Sequence, residues 1–266
     1  MPRPIVTLTT DFGSSDYYVG AMKGVILSVC PEAEIIDLCH HCLPYDVLDA
    51  AFTLAQSYAY YPPRTVHVVV VDPGVGTERR PILVRGDRHF FVAPDNGVLT
   101  LIYAQQEKLT VYHITSEHYF RRPVSHTFHA RDIFASVTGW LARGLEPRLF
   151  GEEIKDYARL AVPKAQAVME KSWKGVVLKV DRFGNLITNI AAADCPTLFA
   201  TPTPRFKLTA GGKEITKLLP NYAAGRENEV FALLGSSGYL EIATNRGGAA
   251  RLLGLNRGAE VTLELI

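Results

Sequence analysis

The sequence predicts an α/β protein: an N-terminal domain with a mainly parallel sheet flanked by helices, then a smaller all-β domain. Three observations predict it. Strand and helix patterns alternate through the first part of the chain, as in βαβ units. The run His67-Val-Val-Val-Val71 reads as a fully buried strand and stops abruptly at Asp72. Beyond about Lys164 the pattern changes to short strand candidates with turn residues between them.

Each element has its own signal. Ile5–Thr9 is a first strand. Asp16–Val29 has helical spacing, and Pro31 follows its end. Ile35–Leu38 is a short second strand. Asp46 can cap a helix reaching about Tyr58, because Val47, Leu48, Ala51, Phe52, Leu54 and Ala55 form one apolar face. Val66–Val71 is the central strand, and Ile82–Val84 and Phe90–Val92 pair around the polar turn Gly86-Asp87-Arg88. A last helix runs from about Ala130 to Ala142 and stops near Gly144. Buried strands alternating with helices argue for a sheet covered on both faces. In the second domain the strand candidates are Lys174–Asp181, Leu186–Ile190, Phe206–Leu208, Glu229–Leu234, Tyr239–Ala243 and Glu260–Leu265, with Gly211-Gly212 as a hairpin signal. The domains span residues 1–165 and 172–266, and apolar periodicity fades between 160 and 172.

Composition narrows the function. Of 266 residues, 47% are hydrophobic and 21% charged, enough for a substantial core. With 28 basic and 27 acidic residues the net charge is +1, which gives no electrostatic reason to expect a nucleic-acid partner. No apolar run approaches the roughly 20 residues that span a bilayer, and the N-terminus lacks a signal-peptide core. Four cysteines are too few for a disulfide scaffold at this length, so a reduced, cytoplasmic protein is expected. There is no Walker loop, Gly-x-Gly-x-x-Gly, Gly-x-Ser-x-Gly or His-Glu-x-x-His, so phosphate transfer, dinucleotide chemistry, serine hydrolysis and zinc hydrolysis lose support.

The polar motifs carry the chemistry. Asp72 ends the valine strand where open α/β sheets place their ligands, and Arg79 lies one short loop away. Thr10-Asp11-Phe12-Gly13-Ser14-Ser15-Asp16 follows the first strand. An Asp in that place can hold a ribose diol, while Asp16 is either a ligand contact or a helix N-cap. Asp-Phe-Gly alone is no kinase signature without its companion loops. His129 opens the last helix of the first domain, where the positive end of the dipole favours a neutral imidazole; the alternative is a surface histidine capping its own loop. Cys39-His40-His41-Cys42 offers half a zinc site, a redox pair, or small buried residues. Asn185 in Asp181-Arg-Phe-Gly-Asn185 can pair with an adenine edge or simply close a hairpin. Gly235-Ser236-Ser237-Gly238 can form an anion nest, and Glu241 can hold an ammonium.

Taken together, TLTTDFGSSDYYVGAMKG, IIDLCHHCLPYDV, VDPGVGTERR, APDNG, TFHARDIFA, DRFGNLITNI and GSSGYLEIATNRGGAA resemble the S-adenosyl-L-methionine hydroxide adenosyltransferase family, related to fluorinase and chlorinase. The resemblance covers nearly the whole chain in order. It implies a C-terminal barrel-like domain and a homotrimer with substrate sites at subunit interfaces. It implies that Asp72, Arg79 and His129 orient a water molecule. It carries Asp11 over as a ribose contact, Asn185 as an adenine contact, and Tyr45 as a cover for the ribose or sulfonium. Asp181, Ser236 and Glu241 become candidates for the methionine end or neighbouring contacts, and Asp16, from its place after the first strand, is a further candidate substrate contact. Ala130 departs from the family, where many relatives have glycine. Asp72 discriminates hydrolysis from halogenation, because the fluorinase motif reads Tyr-Pro-Ala-Thr-Gly where this chain reads Asp-Pro-Gly-Val-Gly. The same motifs favour a structural reading of the Cys-His-His-Cys segment.

The implied reaction is hydrolysis of S-adenosyl-L-methionine to adenosine and methionine, and it needs no metal or redox cofactor. Two other readings stay open: an adenosyl-ligand sensor without chemistry, and a halide-dependent 5′-halo-5′-deoxyadenosine synthase.

Overall fold

Strand β1 (Ile5–Thr10) begins the first sheet in a computed structural model that describes residues 3–200 and 204–266. The chain divides into two units, Met1–Ala161 and Val162–Ile266. In the first, β1 is followed by α1 (Tyr18–Val29), β2 (Glu34–Cys39), α2 (Val47–Ala55), β3 (Val66–Val70), β4 (Pro81–Arg85), β5 (Phe90–Pro94), α3 (Thr100–Tyr103), β6 (Thr110–His113), α4 (Ser136–Ala142) and β7 (Glu153–Ile154). The strands form a seven-stranded sheet in the order β2-β1-β3-β5-β4-β6-β7.

The sheet is mixed rather than mainly parallel. β2, β1, β3 and β5 run parallel, while β4, β6 and β7 pair antiparallel. The reason is the short turn at Gly86-Asp87-Arg88. A connection that tight closes a hairpin and leaves no room for the crossover a parallel pair needs.

The valine run is explained by what lies on each side of β3. Val66, Val68 and Val70 pack with Met22 and Ile26 of α1 and Val137 and Leu141 of α4. Val69 and Val71 pack with Ala50 and Leu54 of α2 and Ile102 of α3. A strand buried on both faces loses the alternation of polar and apolar residues.

Helix α2 starts as expected: the Asp46 carboxylate accepts from the Asp49 N–H at 3.0 Å. It ends at Ala55, and Tyr58–Tyr60 form a separate 3₁₀ turn. Helix α1 starts at Tyr18, and its N-cap residue is Tyr17, with no side-chain capping bond; Asp16 does not cap it. The stretch expected as one helix from Ala130 opens as a π-helical turn, Ala130–Ala135, before α4.

The second unit contains β8 (Gln166–Met169), β9 (Ser172–Val180), β10 (Leu186–Ala191), β11 (Phe206–Ala210), β12 (Lys213–Ile215), β13 (Val230–Leu234), β14 (Tyr239–Thr244), α5 (Ala249–Leu253) and β15 (Glu260–Leu265). They form an antiparallel sheet in the order β12-β11-β15-β9-β10-β14-β13, with β8 also on β9. Residues 172–176 of β9 pair with β15 and residues 177–180 with β10, so one long strand serves both halves of a barrel-like sheet. Gly211 and Gly212 take φ of +56° and +72° between β11 and β12, as a two-residue hairpin turn requires. Among the described residues, no helix is long and apolar enough to cross a membrane.

Candidate functional site

Parallel β1 and β3 deliver their carboxyl ends to one edge of the sheet, and Asp11 and Asp72 follow them there. The end of β3 is held from the side: Asn96 Nδ2 donates to the Val71 carbonyl at 2.9 Å. The loop after Asp72 turns tightly, with the Val75 N–H on the Asp72 carbonyl at 3.2 Å. Gly76 has φ of +78°, and a Cβ there would lie 2.2 Å from the His126 carbonyl oxygen. Only glycine lets this loop lie against the segment that carries His129.

That approach assembles the Asp72–Arg79–His129 cluster. Arg79 Nε donates to both Asp72 oxygens at 2.9 Å, and Nη2 donates to Oδ2. Their side chains are 5% and 9% exposed, so the pair is desolvated. The guanidinium also lies 5.1 Å from the centre of the Phe134 ring. Arg79 Nη2 sits 3.1 Å from His129 Nδ1. An arginine can only donate, so Nδ1 is the acceptor, and a neutral ring carries its proton on Nε2. Burial, and then the Arg79 charge, hold the His129 pKa below its ordinary value.

A cleft of about 400 Å³ opens beside this cluster, lined by Asp72 and His129 and also by Asp11, Tyr45, Phe12 and Phe128. Asp11 Oδ2 accepts from the Tyr45 N–H at 2.8 Å. Tyr45 is 76% exposed and its φ is +64°, a conformation an aromatic residue rarely adopts. Asp16 is exposed and stands outside the cleft lining. Phe12 and Phe128 escaped the sequence reading, although each adjoins a residue that it named.

The remaining expected site residues lie in the second unit. Asp181 Oδ1 accepts from the N–H groups of Phe183 and Asn185, at 2.9 and 2.8 Å. Its Oδ2 accepts from Asn185 Nδ2 at 2.9 Å, so the carboxylate closes its own turn. Asn185 is buried, with one amide hydrogen committed to Asp181. Glu241 is 4% exposed on β14, and its Oε2 accepts from the Tyr222 hydroxyl at 2.9 Å. A Cβ on Gly235 would lie 1.8 Å from Glu241 Oε1, so glycine makes room for the carboxylate. Burial raises the Glu241 pKa, the Tyr222 hydrogen bond works against that rise, and the nearby Asp181 charge adds to it. Ser236 is exposed. Tyr222 has no sequence signal: it stands in a loop that only folding brings to Glu241.

In the Cys-His-His-Cys segment both ring nitrogens of His40 are engaged, by Thr10 and by Asp37. Among the described residues no group of three or more His, Cys, Asp or Glu is arranged to hold a metal ion.

Fold and cleft together define a two-unit α/β protein with a small-molecule cleft at the carboxyl edge of its parallel strands. Its sequence matches the SAM hydroxide adenosyltransferase N-terminal domain over residues 6–151 and the C-terminal domain of the same name over residues 175–262. The chain belongs to the SAM hydroxide adenosyltransferase family. It is 35% identical to the (R)-S-adenosyl-L-methionine hydrolase of Thermus thermophilus, over 98% of this chain and 99% of the relative. It is 28% identical to the fluorinase of Nocardia brasiliensis, over 99% and 97% of the two chains. Among solved structures, an uncharacterized conserved protein from Thermotoga maritima superimposes with a TM-score of 0.90 at 35% identity, covering 97% of this chain and 99% of that one.

Proposed function

We propose that the protein hydrolyses S-adenosyl-L-methionine to adenosine and L-methionine by attack of water on the 5′ carbon of the adenosyl group. The observation that carries this reading is the desolvated Asp72–Arg79 pair, with half-buried His129 against it, beside a cleft that Asp72, His129 and Asp11 line. A pure sensor of the same ligand has no need of a desolvated carboxylate beside an imidazole held neutral. A halide-dependent synthase would place an anion where Asp72 stands, and a carboxylate repels an anion.

The chemistry follows from charge. The sulfonium departs with the C5′–S bonding pair as a neutral thioether, so the leaving group needs little help. The oxygen nucleophile must be aligned opposite sulfur and relieved of a proton as the C–O bond forms. His129 Nδ1 accepts from Arg79, which leaves Nε2–H as a donor that can orient the water. Asp72 is then the proton acceptor. A carboxylate is a weak base, and here Arg79 donates to both of its oxygens. A weak base suffices, because water bonded to carbon is a strongly acidic oxonium. The proton passes through Asp72 to solvent, and the products are adenosine, methionine and one proton. General base help of this kind contributes about 10²–10⁴-fold.

Asp11 has one oxygen on the Tyr45 N–H and one left for the ribose hydroxyls. Tyr45 covers the ribose or sulfonium. Asn185 takes the adenine edge, and Glu241, with Ser236, takes the amino-acid end. Asp181 serves there by holding Asn185 in place. Asp16, exposed, is the outermost contact in this reading. The hydrolase relatives are named for the (R) sulfonium epimer, and we assign that epimer to this chain as well. A cytoplasmic homotrimer with sites at subunit interfaces belongs to the same reading, and light scattering tests the assembly.

The test is incubation with each separated epimer, with chromatography for adenosine and methionine. Adenosine appears from the (R) epimer without added halide. No adenosine from either epimer, or a 5′-halo product when chloride or fluoride is supplied, would overturn the reading. Arg79→Lys should be a poor enzyme, because a point charge cannot replace a planar fork.

A further inference from the structure

In the Cys-His-His-Cys segment the His40 side chain ties β2 to the end of β1, beside the cleft. Lys23 Nζ, on α1, donates to Asp37 Oδ2 at 2.7 Å. Asp37 Oδ1 pairs with His40 Nε2 at 2.9 Å. A carboxylate only accepts, so a neutral His40 ring carries its proton on Nε2, and Nδ1 accepts from the Thr10 hydroxyl at 2.9 Å. The Thr10 Oγ1 in turn accepts from the Phe12 N–H at 3.2 Å. Burial works against ionisation of Asp37, but the hydrogen bonds from His40 and Lys23 outweigh it and hold its carboxyl below the ordinary value.

The backbone repeats the connection. The His40 carbonyl accepts from Gly13 N–H at 2.7 Å, and the Thr10 carbonyl from Cys42 N–H at 3.3 Å. Asp11, between Thr10 and Phe12, then reaches across to the Tyr45 N–H. Hydroxyl, imidazole and carboxylate stand here in the order used by nucleophilic enzymes. Thr10 is fully buried and its oxygen is occupied by the Phe12 N–H, so it is no nucleophile. What the chain of bonds does is fix the turn that presents Asp11.

We propose that His40 is a positioning residue: through Thr10 it holds the Thr10–Gly13 turn so that the Asp11 carboxylate meets the ribose hydroxyls of the substrate. This rests on the ribose role given to Asp11 above. The relay orders one contact before the ligand arrives, so its loss weakens binding of the ribose and leaves the chemistry at C5′ alone.

The experiment compares S-adenosyl-L-methionine with its 2′,3′-dideoxyribosyl analogue, measuring KM and kcat for each. His40→Ala should raise KM for the natural substrate roughly tenfold, about one hydrogen bond, and leave kcat within about twofold. KM for the dideoxy analogue should stay within about twofold of the parent, on the same hydrogen-bond arithmetic. His40→Asn keeps an acceptor for Thr10 and should recover most of the loss. Asp37→Asn, at the outer end where the side chain is 47% exposed, leaves the core untouched. It should show the same split at about threefold, and it carries the test if His40→Ala does not fold. Equal losses on both substrates, or unchanged KM in both variants, would overturn the relay. Asp11→Ala is run beside them. If it separates the two substrates while His40→Ala and Asp37→Asn do not, the relay fails alone. If it does not separate them, the ribose assignment fails and the relay with it.

Discussion

Two buried carboxylates, one in each unit, sit in opposite electrostatic circumstances. Asp72 is gripped by Arg79, so its charge is neutralised within the protein. Glu241 is as deeply buried, yet its partner is a neutral phenol, and a charge acting on it is that of another carboxylate, Asp181. A paired buried charge is held by its own structure, whereas an unpaired one is costly until a cation arrives. Under the proposed reading, the difference gives each place its use. The first is finished before substrate binds and is suited to chemistry on a neutral water. The second is incomplete, and a ligand ammonium would complete it.

The largest effect expected from this contrast is at Asp72. Asp72→Ala should lower kcat by about 10³-fold or more, while equilibrium dialysis still detects bound substrate. It should also destabilise the protein by about 3–5 kcal/mol, since Arg79 would be left buried and uncompensated. Parent-like turnover in this variant would remove Asp72 from the mechanism.

Glu241→Gln should behave in the reverse manner. KM for S-adenosyl-L-methionine should rise about 10- to 100-fold, the worth of one charge-assisted hydrogen bond, with kcat little changed. Without ligand the variant should be more stable than the parent at neutral pH. The sign follows from linkage. The folded-state pKa of Glu241 is raised, so the folded protein binds the proton more tightly than the unfolded chain does. The parent therefore loses stability as pH rises from the unfolded value through the folded one. The advantage of the glutamine variant should fade once pH drops below the ordinary carboxylate value of 4.5. Melting curves at pH 4 and pH 8 check this, and an advantage equal at both would contradict it.

A smaller effect concerns His129. Its pKa is held below 6.5, by burial first and by Arg79 second. The acid limb of kcat/KM should therefore lie below pH 6.5, because the neutral ring survives there. The same depression means stability is lost as pH falls below the unfolded value, since the unfolded chain takes up the proton first. A limb above 6.5 in the pH–rate profile would rule His129 out as its source.

Legibility in the sequence followed the distance over which each feature is built. The valine strand, Asp72 and Arg79 lie within one short stretch, and spacing alone sufficed to relate them. His129 was found at a helix start, but the π-helical turn behind it leaves no mark in residue pattern. The short α3 and the strands β6 and β7 were missed, because elements of two to four residues carry too few positions for periodicity to register. The sheet was read as mainly parallel because buried strands look alike in either direction; only the turn at Gly86 revealed the hairpin. Asp181 is a candidate for the methionine end or a neighbouring contact in the sequence, and only the fold shows that its oxygens also close the local turn. Nothing in the sequence relates Tyr222 to Glu241, since that pair forms only when the loop between β12 and β13 folds back.

That pair gives the finest test of the contrast. If Glu241 awaits a cation, Tyr222 keeps its carboxylate aimed and partly compensated in the meantime. Tyr222→Phe deletes the hydroxyl and leaves the ring, so packing is preserved. The expected change is a rise of about threefold in KM with kcat unchanged, smaller than for Glu241→Gln because the carboxylate itself remains. In the double variant Tyr222→Phe/Glu241→Gln, the loss should not exceed that of Glu241→Gln alone, since the tyrosine acts through the glutamate. Losses that simply multiply would mean that Tyr222 touches the substrate independently. The second carboxylate would then be as self-sufficient as the first, and the difference between the two regions would lie in solvent access alone.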